Sequence, residues 1–136
     1  MTSKPHLLLI DDEPSRANLI RMILERSDCT LEVVTDGLQG ITAMRRRKPD
    51  IVLLDLLMPV TNGWQVYEIM KNEQDLADIP VIILSVLDPP EDGILVPDLP
   101  PVEAYLKAPW LPQDLMASIA ALLPEDRHLT PPSPDQ

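Results

Sequence analysis

Two short apolar runs that end on acid constrain this chain more than any other feature. Leu7 to Ile10 leads into Asp11, Asp12 and Glu13, and Ile51 to Leu54 leads into Asp55. Runs of this kind, aliphatic and bounded by polar residues, read as strands buried on both faces, the pattern of a parallel sheet. Neighbouring parallel strands bring their carboxyl ends side by side, where open α/β sheets place ligands. The carboxylates of Asp11, Asp12 and Asp55 then converge on one point. Like charges repel strongly at that separation once partly buried, so the cluster demands a shared proton or a bound cation. A hard divalent ion with oxygen ligands meets the demand. Mg2+ fits best, because it binds through a few carboxylates and keeps waters that a phosphate can displace.

The rest of the chain repeats the motif of strand followed by helix. Leu31 to Val34, Val81 to Leu84 and Ala104 to Leu106 are further strand candidates. Between them, Leu19, Ile20, Ile23 and Leu24, then Leu38, Ile41 and Met44, then Val66, Ile69 and Met70, recur at helical spacing. Leu111, Leu115, Ile119 and Leu122 form a last helical face, with Pro14 and Pro112 suited to first helical turns. Alternation of this kind predicts βα units and a parallel sheet. One stretch breaks it: Pro89, Pro90, Pro97, Pro100 and Pro101 stand where a helix would follow the fourth strand. Each interior proline costs a helix roughly 3 kcal/mol or more, so a loop or a single short turn is expected there. Leu95, Val96 and Leu99 within it are read as core contacts, with an exposed partner site as the alternative.

At 136 residues the chain is read as one domain, spanning residues 5–123, with a Pro-rich, disordered tail over 124–136. Its formal charge of −11 repels phosphate backbones and anionic lipid, so direct nucleic-acid or membrane contact is not expected. Arg45, Arg46, Arg47 and Lys48 form a basic run that reads as a solvated helix end. Cys29 stands alone, which excludes a disulfide framework and suits a structural thiol in a reducing compartment. Neither a signal peptide nor a membrane span is visible, and a cytoplasmic protein is expected.

Four segments, in order and at matching distances, resemble the receiver domains of two-component response regulators: Leu8 to Pro14, Asp55 to Gly63, Pro80 to Ser85 and Tyr105 to Trp110. The resemblance is to single-domain, chemotaxis-regulator-like members and covers residues 5–123. It implies a flavodoxin-like, doubly wound five-stranded parallel sheet of order 2-1-3-4-5 with helices on both faces, the fourth helix here short or missing. It also implies roles. Asp55 is the phosphoryl acceptor, and a carboxylate becomes a competent nucleophile once a metal orients it. Asp12 binds Mg2+ directly, Asp11 holds it through water, and the backbone carbonyl of Leu57 completes the protein ligands. Ser85 donates to the phosphoryl group, and Tyr105 is the aromatic switch position that reports this contact. Met58 and Pro59 shape the loop after Asp55, and Gly63 gives it backbone freedom.

Departures from the family pattern matter as much. Receivers usually carry lysine immediately before the proline after the fifth strand, where this chain has Ala108; Lys107 stands one residue early. A regular strand aims Lys107 away from the acids, and only a bulge would turn it back. The Ala108–Pro109 peptide is a candidate for the cis form common at this place in the family. Val86 replaces a small residue beside Ser85, while Leu57 and Leu87 are apolar at positions that tune hydrolysis of the acyl phosphate.

These readings give a non-enzymatic phosphoryl acceptor, served by a histidine kinase or phosphotransfer protein and Mg2+, that signals through altered binding to an unknown protein. Self-dephosphorylation is expected to be slow, and oligomeric state stays open. The alternative is a divergent receiver that binds a partner constitutively with a weakened switch. A Mg2+-dependent phosphatase would need a second aspartate where Leu57 stands, and a flavin protein would need a phosphate loop where Asp11 to Pro14 stand.

Overall fold

Each of the five apolar runs forms a parallel strand. The structure, a computed structural model, describes residues 4–124, 126, 127 and 129. Its elements in order are β1 (His6–Ile10), α1 (Pro14–Leu24), β2 (Thr30–Val34), α2 (Gly37–Arg46), β3 (Ile51–Asp55), α3 (Gly63–Lys71), β4 (Val81–Ser85), β5 (Ala104–Lys107) and α4 (Pro112–Leu122). The sheet runs β2-β1-β3-β4-β5, the flavodoxin-like order that the resemblance implies. Leu8 pairs with Val52 and Ile10 with Leu54, so β1 and β3 are neighbours and end level with one another.

Alternation along the strands sorts the core into two layers. Leu8, Ile10, Val52, Leu54, Val81 and Ile83 face α2 and α3; Leu7, Leu9, Ile51, Leu53, Ile82 and Leu84 face α1 and α4. Because both faces are covered, β1, β3 and β4 are buried at every position. The helical faces follow the predicted spacing at Ile20, Leu24, Ile41, Met44, Val66, Met70, Leu115 and Ile119, all buried. Leu19, Leu38 and Leu111 fall outside those faces and are exposed. Gly40 lets α2 settle on β1, since a Cβ there would lie 2.4 Å from Ile10 Cδ1.

Between β4 and β5 the chain makes no helix. The proline-rich crossover closes on itself through Val102 N–H to the Gly93 carbonyl (3.1 Å) and Gly93 N–H to the Pro90 carbonyl (3.1 Å). Leu95, Val96, Leu99 and Val102 pack on the α2/α3 layer, filling the place of the missing helix. The buried Tyr67 donates its hydroxyl to the Pro100 carbonyl at 2.9 Å, fastening the crossover to α3. Tyr67 loses its proton only at about 12, because burial and the Glu103 charge both disfavour the phenolate.

The basic run is more engaged than expected. Arg45 binds Glu73 at 2.6 Å, Arg46 pairs with Glu32, and Lys48 binds Asp78 at 2.8 Å, so three of its members are matched by acids of β2 and of the connection between α3 and β4. Cys29 is half-buried, and burial pushes its thiol up and away from reactivity. Much of the expected disordered tail lies outside the described residues. Within it, Arg127 donates to Asp50 at 2.5 Å and Leu129 packs on the α1/α4 layer.

Candidate functional site

The acidic site forms because β1 and β3 end together. Asp11 leaves the sheet one residue past β1, Asp55 is the last residue of β3, and one carboxylate oxygen from each of Asp11, Asp12 and Asp55 lies within 4.8 Å of the others. Asp11 and Asp55 are buried, at 1% and 4% exposure, whereas Asp12 opens to solvent. Glu13, the third acid of the turn, has a structural role: its side chain caps α1 by accepting from Arg16 N–H at 2.8 Å. Those backbone bonds draw the Glu13 carboxyl below the usual carboxylate range.

Sequence reasoning missed Arg16. From the first turn of α1 its guanidinium reaches back over the strand ends, with Nε 2.9 Å from Asp11 Oδ2 and Nη2 2.8 Å from Asp11 Oδ1. The same Nη2 lies 3.1 Å from Asp55 Oδ2. Bidentate pairing of this kind is the strong form of a charged hydrogen bond. The signal was present in principle, since Pro14 starts a helix and residue 16 then falls in a first turn directly above the acids. Asp55 also accepts the Leu57 N–H at 3.3 Å. Burial first, and the Asp11 charge second, push its carboxyl up to about 6, while Leu57 N–H and Arg16 oppose that rise. The acids in turn push the Arg16 guanidinium further into its charged form.

A cavity of about 120 Å³ opens beside Asp55, lined by Arg16, Leu57, Ser85, Val86, Ala108 and Trp110 among others. Ser85 is buried at the end of β4, and its Oγ accepts the Leu87 N–H at 3.1 Å. The Ser85 carbonyl takes the Ala108 N–H at 2.8 Å, tying the end of β5 to the site. Ala108–Pro109 is cis.

Lys107, a candidate from the sequence, is not brought into this cluster. Tyr105 packs on the α2/α3 layer, whereas Ala104 and Leu106 pack on the α1/α4 layer. Regular alternation therefore turns Lys107 with Tyr105, without the bulge that would redirect it, and its ammonium pairs with Asp88 at the surface. Tyr105 donates to the Leu87 carbonyl at 2.7 Å, in the segment that follows Ser85. Gly63 serves by closeness, not by backbone freedom: a Cβ there would lie 2.4 Å from the Asp55 carbonyl oxygen.

The donor set suits a hard divalent ion. Three carboxylates converge, one of them accessible, and Leu57 lines the same cavity. The fold and site together are those of a flavodoxin-like module, a doubly wound parallel sheet with an acidic cluster at the carboxyl ends of β1 and β3. The chain belongs to the response regulator receiver domain family, whose model matches residues 7–120.

It is 31% identical over 119 residues to the DNA-binding dual master transcriptional regulator RpaA of Synechocystis sp., covering 88% of this chain and 49% of that protein. The signal receiver domain of a signal transduction histidine kinase from Syntrophus aciditrophicus superposes with a TM-score of 0.77 at 27% identity, covering 88% of this chain and 89% of that one. The Mn(2+)-bound form of response regulator Rcp1 superposes at 0.69 with 28% identity, over 82% and 86% of the two chains. The chain spans about half the length of the curated relatives it matches. Those relatives are DNA-binding regulators, so they lend no support to the expectations of a single-domain protein and of no contact with nucleic acid. Among the described residues, no helix is long and apolar enough to cross a membrane.

Proposed function

We propose that this chain is the phosphoryl-accepting module of a two-component pathway, with Asp55 as the acceptor, Mg2+ as cofactor, and a histidine kinase or phosphotransfer protein as donor. The observation that carries the reading is the meeting of Asp11, Asp12 and Asp55 within 4.8 Å at adjoining strand ends. A carboxylate oxygen of Asp55 attacks the phosphorus held on a donor imidazole. The P–O bond forms as the P–N bond breaks, and the departing nitrogen keeps the electron pair. Because the transition state is loose, the protein contributes position and charge rather than covalent chemistry. Asp12 and Asp11 would hold Mg2+ with Asp55 and the Leu57 carbonyl, and the ion when bound neutralises charge on the phosphoryl oxygens. Ser85, buried beside Asp55, has a hydroxyl proton to offer one of those oxygens.

The output is a change of affinity for another protein, through two conformations that the phosphoryl contact at Ser85 biases, with Tyr105 following the segment after Ser85. The protein is not an enzyme toward outside substrates. Leu57 and Leu87 offer no polar group to orient water, so the acyl phosphate is lost slowly. The deciding experiment incubates wild type and Asp55→Asn with Mg2+ and acetyl phosphate and follows intact mass. One phosphoryl group on wild type and none on the variant supports the reading. Mg2+ binding with no adduct supports instead the constitutive, weakened-switch alternative.

A further inference from the structure

We propose that Arg16 is the cation that grips the phosphoryl group on Asp55, exchanging its hold on Asp11 for the phosphoryl oxygens; this rests on Asp55 being the acceptor. Phosphorylation turns one negative charge into nearly two and moves them outward from the carboxylate into the cavity beside it. The end of β5 supplies no cation to that cavity, because Ala108 lines it and Lys107 is paired with Asp88 on the other side of the sheet. Arg16 lines the cavity and already stands 3.1 Å from Asp55 Oδ2.

Three features suit this guanidinium to the task. Its planar fork matches oxygens of carboxylate and phosphoryl groups alike. Its side chain is 43% exposed at the mouth of the site, so it has room to turn outward with the charge. Its rootedness in the first turn of α1, whose cap is Glu13, keeps it within reach while it does so. A divalent ion and Arg16 also compete for one resource, since both oxygens of Asp11 are engaged by the guanidinium. Arg16 therefore opposes the metal in the unphosphorylated protein and favours the phosphoryl group once it arrives.

Those opposite signs make the test. Trp110 lines the same cavity, so its fluorescence reports both Mg2+ binding and the binding of beryllofluoride, a phosphoryl mimic, in the presence of Mg2+. Arg16→Ala should bind Mg2+ severalfold more tightly than wild type and beryllofluoride about tenfold or more weakly, the loss of one charge-assisted contact. Arg16→Lys should fall between the two proteins. Ala108→Lys added to Arg16→Ala should regain beryllofluoride affinity by supplying a cation from β5. Arg16→Ala that binds beryllofluoride as wild type does, or loses affinity for both ligands together, overturns the proposal. Wild type that takes neither beryllofluoride nor a phosphoryl group overturns the assignment of Asp55 itself, and Arg16 with it.

Discussion

The hydroxyl of Tyr67 donates to the Pro100 carbonyl at 2.9 Å, so one buried phenol on α3 holds the proline-rich crossover against the sheet. Tyr67→Phe keeps the ring in its packing and removes only that bond. The variant should lose about 0.5 to 1.5 kcal/mol, the net worth of one part-buried hydrogen bond. Urea melts should show a lower midpoint at unchanged slope, and amide exchange should quicken first at Val102 and Gly93, whose backbone bond closes the crossover.

Asp55 sets a pH dependence of defined sign. Its carboxyl stands at about 6 in the folded protein against an ordinary 3.8, so the folded state holds this proton more tightly than the unfolded one. Its contribution to stability is full below about 3.8, is lost as pH rises to about 6, and the ionised carboxylate then weighs against folding. In chelating buffer, Asp55→Asn should be more stable than wild type at pH 7 by about 1 to 3 kcal/mol, a gap that closes toward pH 4. Paired denaturation curves across that range check it, and added Mg2+ should narrow the gap at pH 7.

Val60, in the loop after Asp55, adopts φ 66° with its side chain 94% exposed. A β-branched residue in the left-handed region costs roughly 1 to 2 kcal/mol, and this side chain recovers nothing by burial. Val60→Asn should raise stability by about 0.5 to 1 kcal/mol, because asparagine tolerates that conformation without the added chain entropy of glycine. A higher melting temperature would show it.

Lys107→Ala tests the assignment of β5. Among the described residues its ammonium pairs with one solvent-exposed acid, Asp88, and such pairs contribute about 0 to 1 kcal/mol. Both stability and beryllofluoride affinity should stay close to wild type. A tenfold loss of that affinity would place Lys107 at the site after all.

The strands were legible because buried parallel strands write themselves as short apolar runs, and the site was legible because two of those runs end on aspartate. The missing helix could be read from five prolines, since each removes a donor that a helix requires. Arg16 was legible only in part: Pro14 places it in a first helical turn, but it stands five residues from Asp11 and 39 from Asp55, and the pairing of β1 with β3 is what brings it to both. Gly63 was legible as a necessary glycine but not for its reason, which is the 2.4 Å between its would-be Cβ and the backbone of β3. The acid partners of Arg45, Arg46 and Lys48 were hidden for the same cause, lying 14 to 30 residues away in sequence.

The crossover between β4 and β5 carries one more consequence. Its five prolines take away amide hydrogens that a helix needs, so the segment cannot fall back on the helical form that the strand–helix rhythm would place there. A binder that recognises this side of the molecule therefore meets an irregular, proline-stiffened contour in place of a helix face. A change that begins at Ser85 enters this contour at its first residues, through Leu87, whose backbone bonds both the Ser85 and the Tyr105 hydroxyls.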